Sequence, residues 1–272
     1  MNPTSEKRVI RLWEGDAPGH REGFEVPILT YYPAKEKRGR GTVIIFAGGA
    51  YRLRSPYEAV DYAERLNLAG LDAFTLDYRV KPTEFPYPLL DARRAIRYVR
   101  ANAEALGIDG DKIAVMGSSA GGHLAALSAT YKAKIDGEGK DGLDEVDFLP
   151  NAQILCYPVL DMWGHPGSFF NLLGNSYPSH RKVTPLHLAD GNTPPVFLWH
   201  TSSDAAVDVN GSFRYAERLH ELGVSVEMHI YPIGKHGLGL ANREDKDTVL
   251  PYVQGWADLL VNWLKLMKWI EN

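Results

Sequence analysis

The stretch KIAVMGSSAGGHLAALSATY, residues 112–131, decides the fold. It opens with a short apolar run, Lys112 to Met116, of the length and texture of a buried strand. A glycine-serine turn follows, and from Ser119 to Tyr131 the sequence reads as a helix of small and apolar residues. Strand, tight turn and helix in that order is one step of a parallel sheet covered by helices.

The same alternation extends to both sides. Residues 7–14 and 25–32 read as edge strands. Thr42 to Ala47 (TVIIFA) is a buried strand, and a helix runs from Tyr57 to Ala69, stopped by Gly70. Asp72 to Tyr78 is a strand and Leu89 to Ala105 a helix. Beyond the central stretch come strands at Ala152 to Cys156, Val196 to His200 and Ser225 to Tyr231, with a helix from Asn210 to Leu222. A last helix sets Val253, Trp256, Leu260, Trp263 or Leu264, and Met267 on one face. Strands alternating with helices imply right-handed crossovers and a mostly parallel, doubly wound sheet. Ligands bind such sheets beyond the carboxyl ends of the strands, so the candidate chemistry is sought just after each strand.

After strand 112–116 stands Gly117-Ser118-Ser119-Ala120-Gly121, a G-x-S-x-G pattern between strand and helix. A serine on so sharp a turn projects its hydroxyl above the sheet, and the flanking glycines keep side chains out of the turn. Ser119 is therefore the candidate nucleophile. Ser118, at the first variable position, is its weaker rival. The helix that begins here points its positive end at the site. His123, one helical turn on, lies on the wrong side of the serine to act as base and reads as a packed or hydrogen-bonded helix residue.

A serine nucleophile needs N–H donors for the oxygen that becomes negative. The expected donors are Ala120, next to the serine, and Gly48 and Gly49, in the loop after strand 42–47, where glycines let the main chain approach a substrate. A plain tight turn is the alternative there. After strand 196–200 comes Thr201-Ser202-Ser203-Asp204, and after strand 225–231 comes Gly234-Lys235-His236-Gly237. The order Ser, Asp, His suits the fold, with Asp204 orienting His236 as base. Asp161 and Asp208 compete as the acid, with capping or loop hydrogen bonds as their other reading. His200, His220 and His229 read as structural.

At this point the sequence resembles the α/β-hydrolase esterases related to acetyl xylan and feruloyl esterases, near the hormone-sensitive-lipase-like carboxylesterases. FAGGAY at 46–51, LDYRV at 76–80, GSSAGGHLA at 117–125, TPPVFLWHTSSDAAV at 193–207 and GKHGLGL at 234–240 carry the resemblance. It implies the triad at Ser119, Asp204 and His236 and the oxyanion glycines at Gly48 and Gly49. The sequence departs from the family pattern at Ala47 and Ala50, and a positive φ at 50 would strain an alanine. The resemblance also implies a small lid over the pocket. Met162 to Asn192, a long connection with Trp163, Phe169, Phe170 and Tyr177, fits it, a packed surface loop being the alternative. A short lid implies a small pocket and short acyl groups such as acetyl.

The bulk properties set outer bounds. The chain has 272 residues, 44% hydrophobic and 24% charged, with a formal net charge of −4, which gives no electrostatic case for nucleic acid or an anionic membrane. Cys156 is the sole cysteine, so no intramolecular disulfide forms, and it reads as a small buried residue. Lys132 to Asp147 reads as an exposed, solvated loop. The N-terminus lacks the apolar core of a signal peptide and no run has transmembrane length, so the expectation is a cytoplasmic single-domain protein. The expected reaction is hydrolysis of a small-molecule short-chain ester, esters of a sugar included, without metal or cofactor. An amidase or small peptidase with the same residues, and a non-catalytic ligand-binding relative, are the competing readings.

Overall fold

The computed structural model describes residues 6–138 and 141–271. Among the described residues eight strands form one sheet: β1 (Arg8–Arg11), β2 (Ile28–Tyr32), β3 (Thr42–Phe46), β4 (Asp72–Asp77), β5 (Ile113–Ser118), β6 (Ala152–Cys156), β7 (Val196–Thr201) and β8 (Val226–Tyr231). Their order is β1-β2-β4-β3-β5-β6-β7-β8. The β1–β2 and β2–β4 pairs are antiparallel and every other pair is parallel. This is the expected mostly parallel sheet.

The helices are α1 (Val60–Leu68), α2 (Tyr87–Ala101), α3 (Ala103–Leu106), α4 (Ala120–Thr130), α5 (Pro166–Leu173), α6 (Pro185–Leu188), α7 (Asn210–Glu221), α8 (Pro251–Gln254) and α9 (Trp256–Leu266). Strands β3, β5, β6 and β7 are buried along their whole length, so they read as continuous apolar runs. Alternate side chains feed two cores. Ile44, Phe46, Val115 and Leu198 face α2, α4 and α7. Val43, Ile45, Met116, Phe197 and Trp199 face α1 and α9. Among the described residues no helix is long and apolar enough to cross a membrane.

Several boundaries moved. The expected helix from Tyr57 starts at Val60, because Pro56–Glu58 form a 3₁₀ turn first. The last helix is broken at Gly255 into α8 and α9. The segment 132–147 is not simply solvated. Its described part lays Glu138, Asp141 and Asp144 against Arg93, Arg94 and Arg97 of α2. Phe148 also lies 3.9 Å from the buried Arg93 guanidinium. The acids of this segment are thus docking groups for an arginine-bearing helix, a pairing that charge content alone does not reveal.

The topology fixes where a site forms. The chain leaves β3 through α1 toward β4, and leaves β5 through α4 toward β6, on the opposite side. The connections diverge between β3 and β5, opening a crevice at their carboxyl ends. Loop 47–55 and Ser119 both lie at that crevice.

Candidate active site

Ser119 sits between β5 and α4 with φ 53° and ψ −120°, a conformation costly for any residue but glycine. Its neighbours explain how so sharp a turn is tolerated. A Cβ at Gly117 would fall 2.1 Å from the Gly121 carbonyl oxygen, and one at Gly121 would fall 2.0 Å from that of Phe46. Only glycine permits α4 to press so closely on β5 and β3. The Ser119 N–H donates to the Cys156 carbonyl and its own carbonyl accepts from Val159, pinning the turn to the end of β6.

Three of the expected residues meet. His236 Nε2 is 2.8 Å from Ser119 Oγ, and His236 Nδ1 is 2.6 Å from Asp204 Oδ2. Asp204 Oδ1 accepts the N–H groups of Ala206 (2.9 Å) and Val207 (3.0 Å). Oδ2 also accepts from His200 Nε2 at 3.2 Å, while His200 Nδ1 lies 2.8 Å from Ser212 Oγ. A carboxylate only accepts, so both imidazoles turn an N–H toward Asp204. Burial works against the Asp204 charge, but the bonds from His200 and His236 outweigh it and hold the carboxyl well below the usual range.

The competitors are otherwise engaged. Asp161 accepts from Gly164 N–H (2.8 Å) and pairs with Arg214 (2.5 Å). Asp208 accepts from the Asn210 backbone and side chain at the start of α7. Ser118 Oγ is 2.9 Å from Tyr62 OH, fully buried. His123 Nε2 donates to the Val183 carbonyl (2.8 Å), so its Nδ1 accepts from Tyr51 OH at 2.6 Å. Burial lowers its pKa to about 4, keeping it neutral. Burial also pushes the Cys156 thiol up to about 12, as befits an inert core cysteine.

The loop after β3 corrects one expectation. The Gly48 N–H donates to Glu58 Oε2 at 2.9 Å, so it is not free for a substrate oxygen. The N–H groups of Gly49, Ala50 and Ala120 have no partner among the described residues. Ala50 adopts φ 54° and Tyr51 φ 57°, the left-handed region in which a side chain is strained.

Gly49, Ala50, Ser119 and His236 line a cavity of about 550 Å³, walled further by Arg52, Leu53, Tyr57, Glu58, His165 and Asn171. His165 and Asn171 come from the segment 162–192, which forms α5, a 3₁₀ run at 174–183 and α6. Asn171 Nδ2 donates to the Ala50 carbonyl at 2.8 Å, joining this segment to the loop after β3. Burial lowers the His165 pKa, and its Nδ1 accepts the Ser168 N–H at the start of α5. The sequence reading missed Glu58, Tyr157 and His165 as site residues. Tyr157 alone carried a positional signal, standing just beyond a central strand.

Sheet order, crevice and loop positions define an α/β-hydrolase. The chain belongs to the BD-FAE family, whose profile matches residues 29–219. It is similar to the endo-1,4-beta-xylanase B of Butyrivibrio fibrisolvens, at 29% identity over 94% of this chain and 41% of that protein. It is similar also to an acetylxylan esterase of Xylanibacter ruminicola, at 28% identity over 84% of this chain and 45% of that protein. The chain therefore spans less than half the length of these two curated relatives. Among solved structures, an acetyl ester-xyloside bifunctional hydrolase from Caldicellulosiruptor lactoaceticus matches over 97% of both chains, with 39% identity and a TM-score of 0.88.

Proposed function

We propose that this chain is a serine esterase that hydrolyses short-chain, acetyl-like carboxylic esters, including esters carried on a carbohydrate. One observation carries the reading: Ser119, His236 and Asp204 form an unbroken line of hydrogen bonds, with the serine facing a cavity beside unpartnered backbone N–H groups. In the proposed reaction Ser119 Oγ attacks the ester carbonyl as His236 Nε2 takes its proton. Asp204 holds the imidazolium through Nδ1. The N–H groups of Gly49, Ala50 and Ala120 receive the oxyanion, Ala50 replacing Gly48 in that role. The protonated His236 then hands its proton to the leaving alcohol. Water, activated by the same histidine, frees the acyl group from Ser119.

The acyl preference rests on the cavity wall. Leu53 is the only large aliphatic side chain among its lining residues, the others being small, polar or charged. Such a wall suits acetyl and a polar alcohol better than a long chain. The names of the relatives, one an acetylxylan esterase, support a sugar as the alcohol, its acetyl ester being the substrate.

The test is a panel of p-nitrophenyl acetate, butyrate and octanoate, acetylated xylo-oligosaccharides and an aminoacyl anilide, with a fluorophosphonate probe. The expectation is labelling at Ser119, its loss in Ser119→Ala, and a kcat for that variant lowered roughly 10⁴-fold or more. Labelling that persists in Ser119→Ala would refute the nucleophile. A kcat/KM that rises from acetyl to octanoyl would refute the acyl preference, since a buried acyl tunnel adds about 0.8 kcal/mol per methylene. Faster cleavage of the anilide than of every ester would make the chain an amidase.

A further inference from the structure

Glu58 is a carboxylate in the cavity wall with only 2% of its surface exposed. Among the described residues no lysine or arginine forms an ion pair with it. Burial raises its pKa, opposed by the Tyr157 hydroxyl, by the nearby His236 and by the Gly48 N–H. An acid kept in such a place at a cost to stability usually has a task there.

Its contacts show what that task is. Oε2 accepts the Gly48 N–H at 2.9 Å, and Oε1 accepts the Tyr157 hydroxyl at 2.7 Å. Tyr157 OH in turn accepts the Gly239 N–H at 2.9 Å, three residues beyond His236. The same turn adds two more links. The Ser55 N–H donates to the Gly48 carbonyl at 2.9 Å, and Tyr57 OH donates to the Gly237 carbonyl at 2.8 Å. A Cβ at Gly48 would lie 2.5 Å from Glu58 Oε2 and 3.1 Å from Ser119 Cβ, so carboxylate, glycine and serine are in close packing. The turn at 55–58 thus grips two loops that no strand pairing holds together.

We infer that Glu58 is a positioning residue: by fixing Gly48 directly and Gly239 through Tyr157, it presets both the N–H groups that receive the oxyanion and the loop that carries His236. This rests on the proposed role of Ser119. Glu58, though it lines the cavity, acts through its two hydrogen bonds. Its removal therefore weakens transition-state binding and leaves ground-state binding largely intact.

The experiment compares wild type, Glu58→Ala, Glu58→Gln and Tyr157→Phe by kcat and KM on p-nitrophenyl acetate and by affinity for a trifluoromethyl ketone, which forms a tetrahedral oxyanion on the serine. In Glu58→Ala, kcat falls roughly 10²-fold, the loss typical of one mispositioned oxyanion donor, with KM within about threefold, and ketone affinity falls in parallel. A glutamine still accepts from Gly48 with its carbonyl and donates to Tyr157 OH with its amide. Glu58→Gln therefore recovers kcat to within roughly tenfold of wild type. Tyr157→Phe, which removes one hydroxyl, loses roughly tenfold in kcat and keeps the inference testable should Glu58→Ala fail to fold. Wild-type kcat in Glu58→Ala or Tyr157→Phe overturns the inference. So does a loss confined to KM, or a Glu58→Gln variant no better than Glu58→Ala. If the wild type itself is not labelled at Ser119 by a fluorophosphonate, the esterase reading falls and this inference with it. A labelled wild type with an unimpaired Glu58→Ala sinks this inference alone.

Discussion

Replacing Asp204 by asparagine leaves the shape of the side chain unchanged and turns one acceptor oxygen into a donor. Oδ1 accepts two backbone N–H groups, and Oδ2 faces His236 Nδ1 at 2.6 Å and His200 Nε2 at 3.2 Å. The asparagine keeps its carbonyl on the backbone pair and turns its NH₂ to the histidines. Its donation to Nδ1 drives the His236 proton to Nε2, where Ser119 Oγ stands 2.8 Å away, and the ring can no longer accept the serine proton. The flipped amide would set NH₂ against two backbone donors. The exposed Ala206 N–H can turn to water, but the Val207 N–H would be left unmade at about 2 kcal/mol, so about one molecule in 30 carries the productive tautomer. Loss of the negative charge beside the imidazolium adds to this, and the expected fall in kcat is roughly 10³- to 10⁴-fold. Asp161→Asn and Asp208→Asn, whose carboxylates serve Arg214 and the start of α7, should keep kcat within a few-fold. The assay is kcat on p-nitrophenyl acetate at saturation, with circular dichroism and melting temperature matched across the three variants. An Asp204→Asn enzyme within tenfold of wild type, or an Asp161→Asn enzyme as impaired as Asp204→Asn, refutes the reasoning.

Two further outcomes follow from buried or strained groups. His123 has its folded pKa lowered to about 4 against about 6.5 unfolded, so its contribution is full above pH 6.5 and is lost as pH falls toward 4. The loss is about 3 kcal/mol, and a His123→Gln variant should show a correspondingly shallower fall of unfolding free energy in urea melts between those pH values; an unchanged slope would contradict it. Ala50→Gly relieves a left-handed alanine, roughly 1–2 kcal/mol, against roughly 0.4–1 kcal/mol of added unfolded-chain entropy. The expected gain is about 0.8 kcal/mol, seen as a melting temperature about 1–2 °C higher; a lower one would show that position 50 carries no strain to relieve.

The sheet and the line from Ser119 to Asp204 were legible because each depends on a pattern local to the chain: an apolar run, a glycine-bounded serine, a residue just beyond a strand. What was not legible depends on approach across the fold. Glu58 looks like any acid near the start of an amphipathic helix, and nothing around residue 58 says that Gly48 and Tyr157 will close on it. That the Gly48 N–H is already engaged was not legible for that reason, since which N–H of a loop stays free is decided by a partner ten residues away. The acids at 138–144 read as solvated because their arginines lie on a helix that precedes them by some forty-five residues. Helix ends shifted where proline or glycine changed the turn type, at Pro56 and Gly255, a distinction that periodicity does not carry.

The tight seating of Gly117 and Gly121 has a consequence for how specificity can be altered in this scaffold. With backbone oxygens about 2 Å from where any side chain would begin, the floor beneath the serine admits no substitution. Variation in what the pocket accepts must enter through its walls: Arg52 and Leu53 on one loop, His165 and Asn171 on another. Of these, Asn171 also holds the Ala50 carbonyl, so changing it also disturbs the loop whose N–H groups are proposed to receive the oxyanion. Arg52 and Leu53, exposed and free of that duty, are where a directed library should begin.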